Sequence, residues 1–204
     1  ETRAITCSFE WRADWKPQEA AQITLDFGAD KKVIRSLIPN QYALRQAKGI
    51  QIDGRLDDWT PETQLPAWML GSTIGDANAT VHLAWAREGF YGAVVVHDSK
   101  LLVKDPKSFW AGDALELFLD SDDNKQPRVA VSGDHQFWFV PLPDAHRVYL
   151  GQWKMKGEIP ATRYDLQAVQ GVATRTDDGY VMEFLLPADQ LQNYHPQVGG
   201  RLGL

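Results

Sequence analysis

The chain is written mostly in short alternations of apolar and polar positions. Leu115, Leu117 and Leu119 alternate with Ala114, Glu116, Phe118 and Asp120. Strand side chains point to opposite faces in turn, so this stretch predicts a strand with a leucine face for a core and a second face that displays a carboxylate. Trp110 and the turn at Gly112-Asp113 lead into it. The same period recurs along the chain. Ile5, Cys7, Phe9 and Trp11 predict one strand, Ile23, Leu25 and Phe27 a second, and Val33 to Ile38 a third. Ile50 to Ile52 predicts a short strand that runs into Asp53-Gly54, where the Asp can bond its own backbone two residues on and the Gly accepts a positive φ. Val81, Leu83 and Trp85, a turn at Arg87-Glu88-Gly89 and the return from Phe90 to His97 predict a hairpin. Further on, Phe137 and Phe139 oppose Gln136 and Trp138 across a strand from His135 to Val140. Arg147 to Trp153, Gln167 to Arg175 and Tyr180 to Leu186 complete the series, the last two joined by a hairpin signal at Asp177-Asp178-Gly179. Ala188 to Leu191 predicts one helical turn after Pro187.

About nine short strands after residue 47, with turn signals between them and no long amphipathic helix, indicate an all-β antiparallel sandwich of the jelly-roll or immunoglobulin-like kind. Residues 1–46 hold too little core for a stable unit, and are expected to be tail strands of an upstream β-sandwich or a packing extension. Residues 47–204 are expected to be the main sandwich. The chain begins at Glu1 without Met and stops at Arg201 to Leu204, which reads as the first half of a strand. It is therefore expected to be a piece of a longer polypeptide, truncated at the C-terminus, with any targeting signal outside it.

Composition narrows the function. Among 204 residues, 44% are hydrophobic and 24% charged, as in a folded globular domain. The net charge of −6, without a basic block, argues against a nucleic-acid partner, whose phosphates call for a Lys/Arg patch. No apolar run has the length of a membrane span. A single cysteine, Cys7, forms no internal disulfide and reads as a small buried hydrophobe. The five histidines are dispersed, and no phosphate loop, HExxH or GxSxG motif occurs. Asp120-Ser121-Asp122-Asp123-Asn124 offers the oxygen ligands that Ca²⁺ takes, but lacks EF-hand spacing and a terminal Glu, so a solvated turn is the plainer reading.

Two motifs in order resemble the family 9 carbohydrate-binding modules and their broader DOMON-like relatives. One is Ile52-Asp53-Gly54-Arg55-Leu56-Asp57-Asp58-Trp59, and the other is Trp110-Ala111-Gly112-Asp113-Ala114-Leu115-Glu116-Leu117-Phe118-Leu119-Asp120. Leu83-Ala84-Trp85, Phe90-Tyr91, Val96-His97-Asp98 and Gly179 to Glu183 fall in the order that family shows. The resemblance covers residues 47 to 204 and implies a non-catalytic sandwich that binds a poly- or oligosaccharide. It implies a sugar stacked on Trp110 and hydrogen-bonded to Glu116, with Gln136 and Trp138 on the adjoining strand. The family's second stacking Trp lies beyond the strand that begins at Arg201; Trp138, Trp153 and Trp68 are the aromatic substitutes within the chain. It implies no required cofactor, with Ca²⁺ as an option and Asp98, Asp120 and Asp122 as its candidate ligands. It also implies an extracellular or cell-surface setting, and other domains of one polypeptide as neighbours.

Two other readings stay open. One is a structural or interaction sandwich without a ligand, in which Trp110 would be buried. The other is a b-type haem electron-transfer domain, for which Met69, Met155 or Met182 with His82 or His97 would supply ligands. Hydrolysis by the domain is the least favoured, since a glycosidase needs two carboxylates at a set separation, and Glu116 and Glu183 qualify only as strand residues.

Overall fold

A computed structural model describes residues 42–65, 78–124, 131–152 and 169–204, with the backbone of strands at 21–26 and 32–37. The strand expected around Cys7, along with Trp11, Trp15, Trp68, Met69, Trp153 and Met155, lies outside the described residues. The chain divides into two compact units, Glu1–Ala43 and Leu44–Leu204. In the first, β1 (Ala21–Asp26) and β2 (Lys32–Leu37) pair antiparallel.

The second unit is an all-β sandwich. One sheet has the order β3-β4-β5-β10-β9 and the other β6-β7-β8. The strands are β3 (Arg45–Gln46), β4 (Asn78–Ala86), β5 (Gly89–His97), β6 (Leu115–Asp120), β7 (Asp134–Leu142), β8 (Arg147–Gln152), β9 (Gln170–Arg175) and β10 (Gly179–Pro187). All pairings but the parallel β3–β4 contact are antiparallel. The hairpins predicted at Arg87-Glu88-Gly89 and Asp177-Asp178-Gly179 form, as does the short turn at Ala188–Gln190. Leu44 to Gln46, which the pattern groups with the first unit, belong to the second through the pairing of β3 with β4.

Register explains the core. Leu115 lies opposite Phe139, Leu117 opposite Phe137 and Leu119 opposite His135, so these side chains share the inner face. Across the interior, Phe184 of β10 stacks on Phe139 of β7 with ring centroids 4.2 Å apart. Phe184 finds room because its direct neighbour on β5 is Gly92, where an added Cβ would stand 2.1 Å from the ring.

The five-stranded sheet is covered on its outer face too, which is why β10 is buried along nearly its whole length. Small residues there, Ala84, Ala86 and Ala93, leave space for Trp59 and for Ile50, Ile52 and Leu56 of the preceding segment. That segment corrects one expectation: Ile50 to Ile52 is not a strand. Its alternation reports an apolar side laid on the sheet, while its backbone stays outside the ladder. The described residues after 47 hold seven strands rather than about nine.

Glu183, in the middle of β10, pins this strap. It is 0% exposed and accepts hydrogen bonds from the backbone N–H groups of Asp53 (3.1 Å), Gly54 (2.5 Å) and Arg55 (3.1 Å) and from the Trp59 indole (2.6 Å). Asp53 also accepts from the Arg55 N–H two residues on, and Gly54 sits at φ +84°, as its turn chemistry dictates. Gly54 has no room for a side chain either, since a Cβ would meet the Thr174 hydroxyl at 2.2 Å. Burial pushes the Glu183 carboxyl up from its ordinary range, and the N–H donors pull it back. The carboxylate is thus the counterpart of the Ile-Asp-Gly motif and has a structural task.

Candidate functional site

The outer face of the three-stranded sheet is where polar and aromatic side chains gather. Because Leu115, Leu117 and Leu119 turn inward, Glu116 and Phe118 turn outward, and both are exposed. Trp138 stands directly opposite Glu116 and Gln136 opposite Phe118. The Gln136 side-chain amide donates a hydrogen bond to Glu116 Oε1. This fixes the carboxylate on the sheet and leaves the amide oxygen of Gln136 an acceptor beside it.

Trp110 reaches this face from a single 3₁₀ turn, Phe109–Ala111. The turn is closed by Ala111 N–H to the Ser108 carbonyl and Gly112 N–H to the Phe109 carbonyl. Asp113 then ties the turn to the incoming loop. Its carboxylate accepts from the Leu102 N–H, and its own N–H donates to the Leu102 carbonyl. Gly112 is obligatory there, because a Cβ would stand 2.2 Å from the Leu102 carbonyl oxygen. The Gly-Asp pair of the motif is therefore a clamp that holds Trp110 in place. Trp110 itself is 67% exposed.

Beneath it lies a stack. The Trp138 indole lies across Gly151, its direct partner on β8, so closely that a Cβ on Gly151 would be 2.0 Å from the ring. On top of Trp138 rests Phe109, with centroids 4.8 Å apart and planes within 19°. Phe109 in turn meets Trp110 edge-on at 5.4 Å. Trp138 is thus half-buried between Gly151 and Phe109 and is the layer that carries Phe109. The sequence points to Trp110, Glu116, Gln136 and Trp138, and the structure brings all four to one face. It adds Phe109 and Gly151, which sequence reasoning missed. A Gly inside a strand marks a close approach, and that was the available signal for Gly151.

The candidate metal ligands do not assemble. Asp98 lies past the end of β5 beside the β9–β10 hairpin, where its carboxylate accepts from the Lys100 N–H and its backbone donates to Asp178. Asp120 and Asp122 lie at the turn after β6. There Asp120 accepts from the backbone of Asp122 and Asn124, and Asp122 accepts from the amides of Asn124 and Asn193. Among the described residues no three His, Cys, Asp or Glu side chains come close enough to hold one ion. His97 pairs with Asp178, His82 with Thr63, and Met182 is buried in the core.

A family model described as "Carbohydrate family 9 binding domain-like" matches residues 52–204. The chain belongs to this family. Family 9 domains of this kind are carbohydrate-binding and non-catalytic. A 77-residue stretch of the chain, 36% of it, is 35% identical to Endo-1,4-beta-xylanase A of Thermotoga neapolitana. The same enzyme of Thermotoga maritima is 34% identical over 77 residues. The match spans 7% of each xylanase's length. Two solved structures share the fold. A family 9 module from Caldicellulosiruptor kristjanssonii in complex with cellotriose aligns with a TM-score of 0.52 at 19% identity, over 71% of this chain and 66% of that one. One in complex with glucose aligns at 0.51 and 18%, over 73% and 70%. No helix among the described residues is long and apolar enough to cross a membrane.

Proposed function

We propose that this family 9 domain is a carbohydrate-binding module of a larger, exported carbohydrate-active protein, and that it holds a sugar on Trp110 with hydroxyl hydrogen bonds to Glu116 and Gln136. The observation that carries this reading is the 67% exposure of Trp110, an indole clamped in position and left open to solvent. A ligand-free spacer would bury such a ring. Removing the apolar C–H face of a pyranose from water onto the indole contributes roughly 25 cal/mol per Å². Hydroxyl bonds to an ionised carboxylate add about 1.5–3 kcal/mol each in a sheltered site. After the costs of association these terms fit an affinity in the micromolar range or weaker.

Titration calorimetry with soluble β-1,4-linked gluco- and xylo-oligosaccharides tests the reading. Wild type binds at least one series, Trp110→Ala loses that binding, and Glu116→Gln weakens it measurably, both variants keeping the wild-type unfolding temperature. Heat signatures indistinguishable from wild type in both variants would refute it.

A further inference from the structure

The outer face of β6 carries a second exposed aromatic that a single bound sugar leaves unused. Phe118 is 52% exposed and follows Glu116 by two positions. It stands directly opposite Gln136, whose amide holds Glu116. An isolated exposed phenylalanine is ordinary. Here the order along the face gives it meaning. Trp138, which carries Phe109 and through it Trp110, stands opposite Glu116, and Phe118 stands opposite Gln136, so the Glu116–Gln136 bond runs diagonally between Trp138 and Phe118.

Resting on the carbohydrate-binding reading above, we propose that Phe118 forms a second stacking subsite. The ligand is then an oligosaccharide of two or more units laid across the β6–β7 face, with its hydroxyls bonded to Glu116 and Gln136. A carboxylate at the centre of the face repels a like charge, so the glycan is neutral rather than uronate-bearing.

The test is an NMR chemical-shift titration, which reaches weak affinities, with glucose, cellobiose and cellotriose and with xylose, xylobiose and xylotriose. Wild type gains affinity from the monosaccharide to the trisaccharide of its preferred series. Phe118→Ala loses about tenfold on the trisaccharide, equivalent to about 1.4 kcal/mol, and keeps the monosaccharide affinity. Phe118→Trp keeps or strengthens trisaccharide binding, and the dispersion of the amide spectrum reports that each variant is folded. Unchanged trisaccharide binding in Phe118→Ala overturns the subsite and leaves the Trp110 reading standing. An equal loss on monosaccharide and trisaccharide also overturns it, because Phe118 would then belong to the first sugar's site. A wild-type domain that binds neither series, or a Trp110→Ala domain that binds as wild type, removes the underlying reading and the subsite with it.

Discussion

The carboxylate of Glu183, on an interior strand, accepts a 2.6 Å hydrogen bond from the indole N–H of Trp59, a residue 124 positions earlier in the chain. With three backbone N–H groups on its other oxygen, this buried acid locks the strap at 50–59 onto the five-stranded sheet. Glu183→Ala would strand these buried donors and is expected to cost about 3–5 kcal/mol, seen as a lower urea midpoint. Glu183→Gln should cost less, since it keeps one acceptor oxygen. An alanine variant as stable as wild type would remove Glu183 from this role.

On the other sheet, Gly151 should prove as exacting. Gly151→Val drives a branched side chain into the Trp138 ring, which lies within 2.0 Å of the position its Cβ would take. Overpacking of this kind costs about 1–3 kcal/mol. Because Trp138 carries Phe109, and Phe109 meets Trp110, the variant should also weaken oligosaccharide binding, measured in folded protein well below its unfolding temperature. Wild-type affinity in Gly151→Val would show that the stack does not position Trp110.

Two histidines should take stability away on mild acidification, against the smaller opposite pull of the raised Glu183 carboxyl. Burial holds the imidazole of His135, 3% exposed, below its ordinary value of 6.5. Its Nε2 donates to the Gln192 carbonyl, and the nearby charges of Asp134, Asp120 and Asp122 offset part of the shift. His82, half-buried beside Trp59, is shifted the same way by burial. The unfolded chain therefore takes up protons first. The stabilising contribution is full above pH 6.5 and is lost as pH falls through the lower folded values. Urea unfolding between pH 8 and 5 should show this decline, and His135→Gln should flatten it, leaving the share of His82. An equal slope in the variant would contradict the assignment.

The sequence shows local chemistry clearly and long-range partnership poorly. Strand β6 is legible because Leu115, Leu117 and Leu119 must share a face whatever they pack against, and the Asp53-Gly54 turn follows from two residues. Ile50 and Ile52 mislead because period-two alternation reports an apolar side, not entry into a ladder; the small residues that make their resting place, Ala84 and Ala93, lie elsewhere in the chain. Glu183 reads only as a strand carboxylate until β10 is seen beneath the strap. At the site, alternation places Glu116, Gln136 and Trp138 on one face, but the covering of Trp138 depends on the register of β7 against β8, which sets Gly151 beneath it.

Glu116 and Gln136 should act as a pair in binding. If the amide of Gln136 holds the carboxylate for a sugar hydroxyl, Gln136→Ala should weaken binding by about tenfold, and adding it to Glu116→Gln should cost little more. A double-mutant cycle on the preferred oligosaccharide measures this. Fully additive losses would mean that the two side chains bind independently.

The most direct test of the central claim is affinity electrophoresis in native gels with and without a soluble β-1,4-glucan or xylan. The wild-type domain should be retarded in one of these gels, and Trp110→Ala, whose substituted ring is exposed and whose fold should be intact, should migrate as it does without polysaccharide. Equal retardation of wild type and Trp110→Ala, or retardation of neither protein in either gel, would contradict the account.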